Sequence, residues 1–326
     1  MVTSANVQMK MVYVDMFRQW AAMARGTSYW HLRQGCGRAF QPGSLDGYFN
    51  DLTSKALYPG KVDEFGIPLD NVRDRSVYWP TTVLQKALAH WDLHLQSQAD
   101  REVHLKTFFT LVEWLLQTQD SFGAWAHPVP LHPNALSRYS CMAQGQAASV
   151  LARAWSLTGD PRCLSAAWRS LEIMLTPVDA GGCSRYTNAG LQLDEYPSTT
   201  GGIVLNGWIF ALFGIYDYLI ADHDDMLENC LEQTLRTIVA QLPLFDCGYW
   251  SLYDSCGTIA SPFYHELHVA QLRSLALTFP GYQRPITEIV WRFEEYSRGR
   301  VNKSWAIVRK ATQKLLHPPA NVLRLR

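Results

Sequence analysis

Residues 203–219 read IVLNGWIFALFGIYDYL, and residues 224–239 read DDMLENCLEQTLRTIV. The first stretch is apolar nearly all round, as a helix enclosed on every side must be. The second mixes apolar with charged residues at helical spacing, as suits a helix with one wet face. Placed in succession, they read as a helical hairpin with an inner and an outer member.

The same pairing recurs along the chain. Helices are predicted over residues 80–96 and 100–118, 142–158 and 161–175, 203–221 and 224–242, and 262–278 and 284–298, with a last one over 303–316. Three pairs are separated by Gly-containing turns that run into aromatic residues: DSFGAW, AGGCSRY and DCGYWSLY, ending at Trp125, Tyr186 and Tyr253. Each such turn reads as a short β-hairpin, with glycine supplying positive φ. A single hairpin cannot bury its own apolar face, so the pairs must stack in a row or close into a ring. The more apolar first helices favour the ring. The expected fold is all-α dominated: an (α/α) barrel of about four helical hairpins with short β-hairpins at the rim.

Residues 1–75 differ. An amphipathic helix is expected over residues 6–25, followed by Gly-, Pro- and Asp-rich turns and short strands. The expected division is an N-terminal extension, 1–75, packed over a barrel domain, 76–326.

Composition narrows the function. Hydrophobic residues make up 48% and charged residues 18%, which specifies a globular chain. Lys+Arg and Asp+Glu are both 29, so no global field favours nucleic acid or an anionic membrane surface. The cationic stretch RGRVNKSWAIVRK, residues 298–310, reads as a solvated helix face. Aromatics reach 12%, and flat rings line sugar clefts as well as cores. Seven cysteines without a C-x-x-C pair suggest neither a disulfide framework nor zinc, and fit a reducing, cytoplasmic compartment. The first twenty residues lack a signal-peptide core, and no apolar run is long enough to predict a membrane span. No nucleotide-phosphate loop, H-E-x-x-H or G-x-S-x-G motif occurs, and no cofactor or metal is expected. The HDD at 223–225 reads as a helix cap.

Polar residues open the inner helices. In SPFYHELHVAQL, residues 261–272, the side chains of Tyr264, Leu267, His268 and Gln271 share one helical face. Gln144 and Gln146 open another inner helix, and Asn206 a third. If these helices run the same way, their polar starts meet at one mouth, joined by the loop LDEYPSTT, residues 193–200. A concave, aromatic, polar-rimmed mouth is the default ligand site.

Four blocks resemble the C-terminal catalytic domain of the D-glucuronyl C5-epimerases: MAQGQAASVLARAWSLTGD (142–160), DEYPSTTGGIVLNGWIFALFGIYDY (194–218), SLYD (251–254) and SPFYHELHVAQL. The resemblance spans residues 77–298 and implies an α/α barrel that turns D-glucuronate into L-iduronate within a glycan. By motif it places functional roles on Glu195 and Tyr196, on Tyr253, and on Tyr264 followed by His265. It departs from the family after Tyr253-Asp254: Ser255-Cys256-Gly257 stand where the family has Arg-His, so the usual cation for the substrate carboxylate is missing. Arg138 and Arg185, near the motifs, are candidate substitutes. Gln144, Gln146, Asn206, His265 and His268 are candidates for holding sugar hydroxyls. The resemblance also implies a uronate-containing polysaccharide as partner, and a homodimer.

The chemistry suits these residue types. C5 epimerisation removes a proton alpha to a carboxylate and returns one on the other face. It needs acid–base groups on both faces and donors that stabilise the enediolate. Glu195 as base and Tyr264 as acid fit, with Tyr196 and Tyr253 polarising the carboxylate; a tyrosine can shuttle protons if its pKa falls from about 10. Alternatives are a polysaccharide lyase using the same enediolate, a glycoside hydrolase using Glu195 and Asp254, and an inactive glycan-binding protein.

Overall fold

The computed structural model describes residues 28–316 apart from residue 73, together with Arg18. Apart from Arg18, the helix expected over residues 6–25 lies outside the described residues. The hairpins are α1 (Pro80–Gln96) with α2 (Arg101–Thr118), α3 (Cys141–Thr158) with α4 (Pro161–Leu175), α5 (Leu205–Ala221) with α6 (Asp225–Gln241), and α7 (Pro262–Thr278) with α8 (Gln283–Arg298). A last helix, α9 (Arg300–Leu316), begins three residues earlier than expected, directly after Gly299, whose extended backbone ends α8.

Local chemistry sets the helix ends. Asp160 caps α4 by accepting from the Arg162 amide, Asp224 caps α6 through Leu227, and Ser261 caps α7 through Tyr264. Pro161 and Pro262 sit in first turns, where no amide hydrogen is needed.

The first helix of each pair faces inward. α1, α3, α5 and α7 stand side by side, and α2, α4, α6 and α8 back them. The tightest seam is α3 on α5. A Cβ added to Gly145 would lie 2.6 Å from the Ala211 Cα, so only glycine allows these backbones to pass so closely.

The ring is completed by chain from outside the four hairpins. Residues 35–56 bridge α7 and α1. Cys36 Sγ meets the Ala270 carbonyl at 3.4 Å, Ser274 Oγ donates to the Phe49 carbonyl at 2.8 Å, and the Tyr48 amide donates to Asp92 Oδ1 at 2.9 Å. Phe49 stacks on Phe213 with ring centroids 3.8 Å apart. Tyr48, Phe49 and Leu52 belong to the same core as the inner helices. This part of the N-terminal region is therefore a stave and plug, where a covering layer was expected. Its aromatic residues fill a gap that four hairpins alone leave open.

One buried ion pair anchors the plug. Arg153 of α3 donates to Asp217 of α5 at 2.6 Å and to the Gly47 carbonyl at 3.0 Å, and its guanidinium lies over the Tyr48 ring. Both charged side chains are essentially inaccessible to water.

At the rim, β4 (Ser184–Thr187) and β5 (Gly190–Leu193) form an antiparallel hairpin. The other two expected hairpins are reduced. Residues 120–125 make only a turn, because Asp120 Oδ1 takes the Phe122 and Ala124 amides. Residues 246–251 keep one isolated bridge, with Asp246 Oδ1 taking the Gly248 amide. A carboxylate that satisfies a turn's amides removes the need for a ladder. Near the N-terminus β1 (Lys61–Val62), β2 (Pro68–Val72) and β3 (Arg75–Val77) form an antiparallel sheet.

All seven cysteines are free thiols. Among the described residues no helix is long and apolar enough to cross a membrane.

Candidate active site

The loop after β5 delivers Glu195 and Tyr196. Asp194 fixes it: its amide donates to Cys183, its carbonyl accepts from Cys141 at the start of α3, and its Oδ1 accepts from the Tyr196 amide. Arg185 clamps the other side, donating from Nε and Nη2 to Asp194 Oδ2 at 2.9 and 2.7 Å and also to the Ser198 carbonyl. The loop therefore leaves the barrel wall in one geometry.

Glu195 is buried against the first turn of α5, and Oε2 has no hydrogen-bond partner in the protein. Burial raises its pKa to about 7, the Tyr196 hydroxyl lowers it, and the neighbouring Asp194 charge adds to the rise. Tyr196 and Tyr253, from separate loops, bring their hydroxyl oxygens to 3.3 Å. Tyr253 meets Tyr264 of α7 edge to face, with ring centroids 4.7 Å apart. Each ring is half-buried, and the Glu195 charge acts on all three hydroxyls. Four groups singled out in the sequence, from three segments, thus meet at one place.

The tyrosines titrate opposite to the expectation for a phenolate shuttle. Burial first, and then the Glu195 charge, raise all three above the ordinary phenol value. They stand as proton donors beside a carboxylate whose pKa is near neutrality.

The other candidates divide. Gln144 uses both ends of its amide on the Trp125 backbone, accepting at 3.1 Å and donating at 3.1 Å. Gln146 is buried with an unpartnered amide and faces the Tyr48 hydroxyl of the plug. Arg138 is exposed and donates to the His127 carbonyl. Arg185 is committed to its clamp on Asp194. His265 has both ring nitrogens engaged, by Ser251 at 2.8 Å and the Phe293 carbonyl at 2.9 Å, and stacks on Trp250. Asn206 Oδ1 and His268 Nε2 are buried without partners, while His268 Nδ1 meets Ser251 at 3.1 Å. Burial lowers the His268 pKa to about 3, so its ring is neutral. Asp254 Oδ1 accepts the Cys256 and Thr258 amides, which gives that carboxylate a turn to hold.

Three residues near the tyrosines escaped the sequence reading. Gly207 leaves the space that the Glu195 carboxylate occupies. His31 packs edge-on to Tyr264 with centroids 5.9 Å apart. Lys310 of α9 holds its ammonium 5.5 Å from the Tyr253 ring centroid. The signal for Lys310 was its i+4 spacing from Ala306, the buried residue of a helix that otherwise reads as basic and wet. Exposed His223, Asp225 and Glu228 lie close enough together to hold a cation, but Asp224 between them serves as the helix cap.

The chain is similar to known proteins over the segments that carry these groups. Residues 119–292 match the family model described as D-glucuronyl C5-epimerase C-terminus. A D-glucuronyl C5-epimerase of Caenorhabditis elegans is 30% identical over 203 residues, covering 54% of this chain and 33% of that protein. An uncharacterized protein of Methanocaldococcus jannaschii is 26% identical over 200 residues, covering 56% of this chain and 65% of that protein. The chain thus spans a third of one relative's length and just under two thirds of the other's. Glu195, Tyr196, Tyr253 and Tyr264 all fall inside the matched residues, whereas α9 lies beyond them.

Proposed function

Because the chain belongs to the family of the D-glucuronyl C5-epimerase C-terminus, we propose that it inverts C5 of hexuronate residues in a glycan, D-glucuronate to L-iduronate. The observation that carries this reading is a buried carboxylate with a pKa near 7 beside three protonated phenols.

The step follows from these groups. Glu195 takes the C5 proton as the C5–H bond breaks, and the electron pair moves onto the uronate carboxylate as an enediolate. Tyr264 donates its hydroxyl proton to C5 on the opposite face. Protons balance when the one on Glu195 returns to Tyr264, and the paired hydroxyls of Tyr196 and Tyr253 offer a path. A base with pKa near the working pH combines a populated carboxylate with useful basicity. The phenols donate hydrogen bonds where charge develops, in a partly dry site where such bonds count most. The reaction is redox-neutral.

Incubation with heparosan in D2O, read by NMR, tests the reading. Deuterium at C5 and an iduronate signal on intact chains are expected. Unsaturated ends would show elimination instead. Absence of exchange on any uronate polymer sinks the assignment.

A further inference from the structure

Ser255-Cys256-Gly257 follow Tyr253-Asp254 with no cation among them, and both arginine candidates are committed elsewhere. A positive charge adds to what the phenol donors supply, since the substrate carboxylate gains a second negative charge as C5–H breaks. The structure supplies a cation from an unexpected place. α9 docks along the loop that carries Tyr253. Ala306 is buried among Trp250, Leu252, Ile259 and Ala260, and Tyr253 and Tyr264 pack at the edge of that cluster. Gln313 accepts from the Ile259 amide and donates to the Gly257 carbonyl, both at 2.9 Å. Arg309 donates to the Tyr249 hydroxyl at 3.1 Å. Positions 306, 310 and 313 share one helical face, so the helix that holds this loop also directs residue 310 at it.

We propose that Lys310 is the cation that receives the hexuronate carboxylate, presented by α9 over the Tyr253 ring. This assignment rests on the epimerase reading. Lys310 is half-buried with its ammonium beside the Tyr253 ring, and its charge also acts on His31, which packs edge-on to Tyr264. Burial, with Lys314 nearby, lowers its pKa to about 8, and Asp254 counters the fall, so it is charged at neutral pH. A lysine suits this duty as a compact point charge on a stem that follows the carboxylate through planarisation.

The test uses the full chain, with Lys310→Met and Lys310→Arg, and two ligands: heparosan and heparosan with its carboxyl groups reduced to alcohols. Thermal unfolding checks that both variants fold. For Lys310→Met, C5 deuterium exchange should fall at least 100-fold. Heparosan binding should weaken about 10-fold, while binding of the carboxyl-reduced polymer stays as in the wild type. Lys310→Arg should recover most of the binding. Equal weakening toward both polymers, or wild-type exchange in Lys310→Met, overturns the Lys310 assignment and leaves the epimerase reading intact. A wild-type chain that neither exchanges nor binds heparosan overturns both.

Discussion

The Glu195 carboxylate occupies the space in which a side chain at Gly207 would begin: a Cβ built on residue 207 overlaps Oε2. The carboxylate is thereby pressed against the first turn of α5, away from water, and its raised pKa follows from that placement. Gly207→Ala should push the carboxylate out of position while leaving α5 helical. Exchange activity should drop about 10²-fold, as for an angstrom-scale misplacement, with helicity by circular dichroism unchanged. Activity within twofold of wild type would show that Glu195 is not held by this contact.

Glu195→Gln should abolish exchange and raise the melting temperature at pH 8. The native pKa of about 7 lies above the ordinary glutamate value of 4.5. The folded state therefore binds the proton more tightly, and the charged form costs stability once pH exceeds the unfolded value. That cost grows between about 4.5 and 7 and is constant above, on the order of 3 kcal/mol at 1.36 kcal/mol per unit. The stabilisation of the Gln variant should vanish near pH 4, where both states are protonated. A gain over wild type no larger at pH 8 than at pH 4 contradicts this.

The pH profile of kcat/KM should be a narrow bell. Its acid limb is set by Glu195, which must be ionised and has a pKa of about 7. Its alkaline limb is set by Lys310, which must be protonated and has a pKa of about 8. In Lys310→Arg the alkaline limb should move beyond pH 9, since guanidinium stays charged. An unmoved limb would assign it to another group.

Arg185→Ala and Arg138→Ala should separate cleanly. Arg185 holds Asp194 and Ser198, so its loss frees the loop bearing Glu195 and Tyr196 and should lower kcat about 10²-fold. Arg138 holds the His127 carbonyl from the surface, and its variant should stay within threefold of wild type. Steady-state rates on one uronate polymer decide it.

Arg153→Met should cost about 3–5 kcal/mol in urea unfolding, because Asp217 is left charged and buried. Pairing it with Asp217→Leu should restore most of the loss. An additive double variant would argue against a direct pair.

How far the sequence reaches depends on the range of the signal. Hydrophobic periodicity is local, and it placed the four hairpins to within a few residues and told inner from outer helices, since a helix buried on all sides must be apolar on all sides. That Glu195, Tyr196, Tyr253 and Tyr264 come together was also legible, because the motifs that carry the family resemblance group them although they lie on separate segments. Residues 35–56 were not. Nothing local in that Gly- and Pro-rich stretch says that it closes the ring between α7 and α1. Only the gap left by four packed hairpins decides it. The polar residues at the inner-helix starts looked alike in sequence, yet Gln144 serves the Trp125 backbone, Gln146 faces Tyr48, and His265 is locked into the core. Which way a buried amide or imidazole faces is fixed by the partners that satisfy it, and those come from distant segments. Lys310 shows the same limit: residue type and helical position made it one more basic residue on a wet face. The docking of α9 on the 247–261 loop, set by Ala306 and Gln313, turned that face toward the tyrosines.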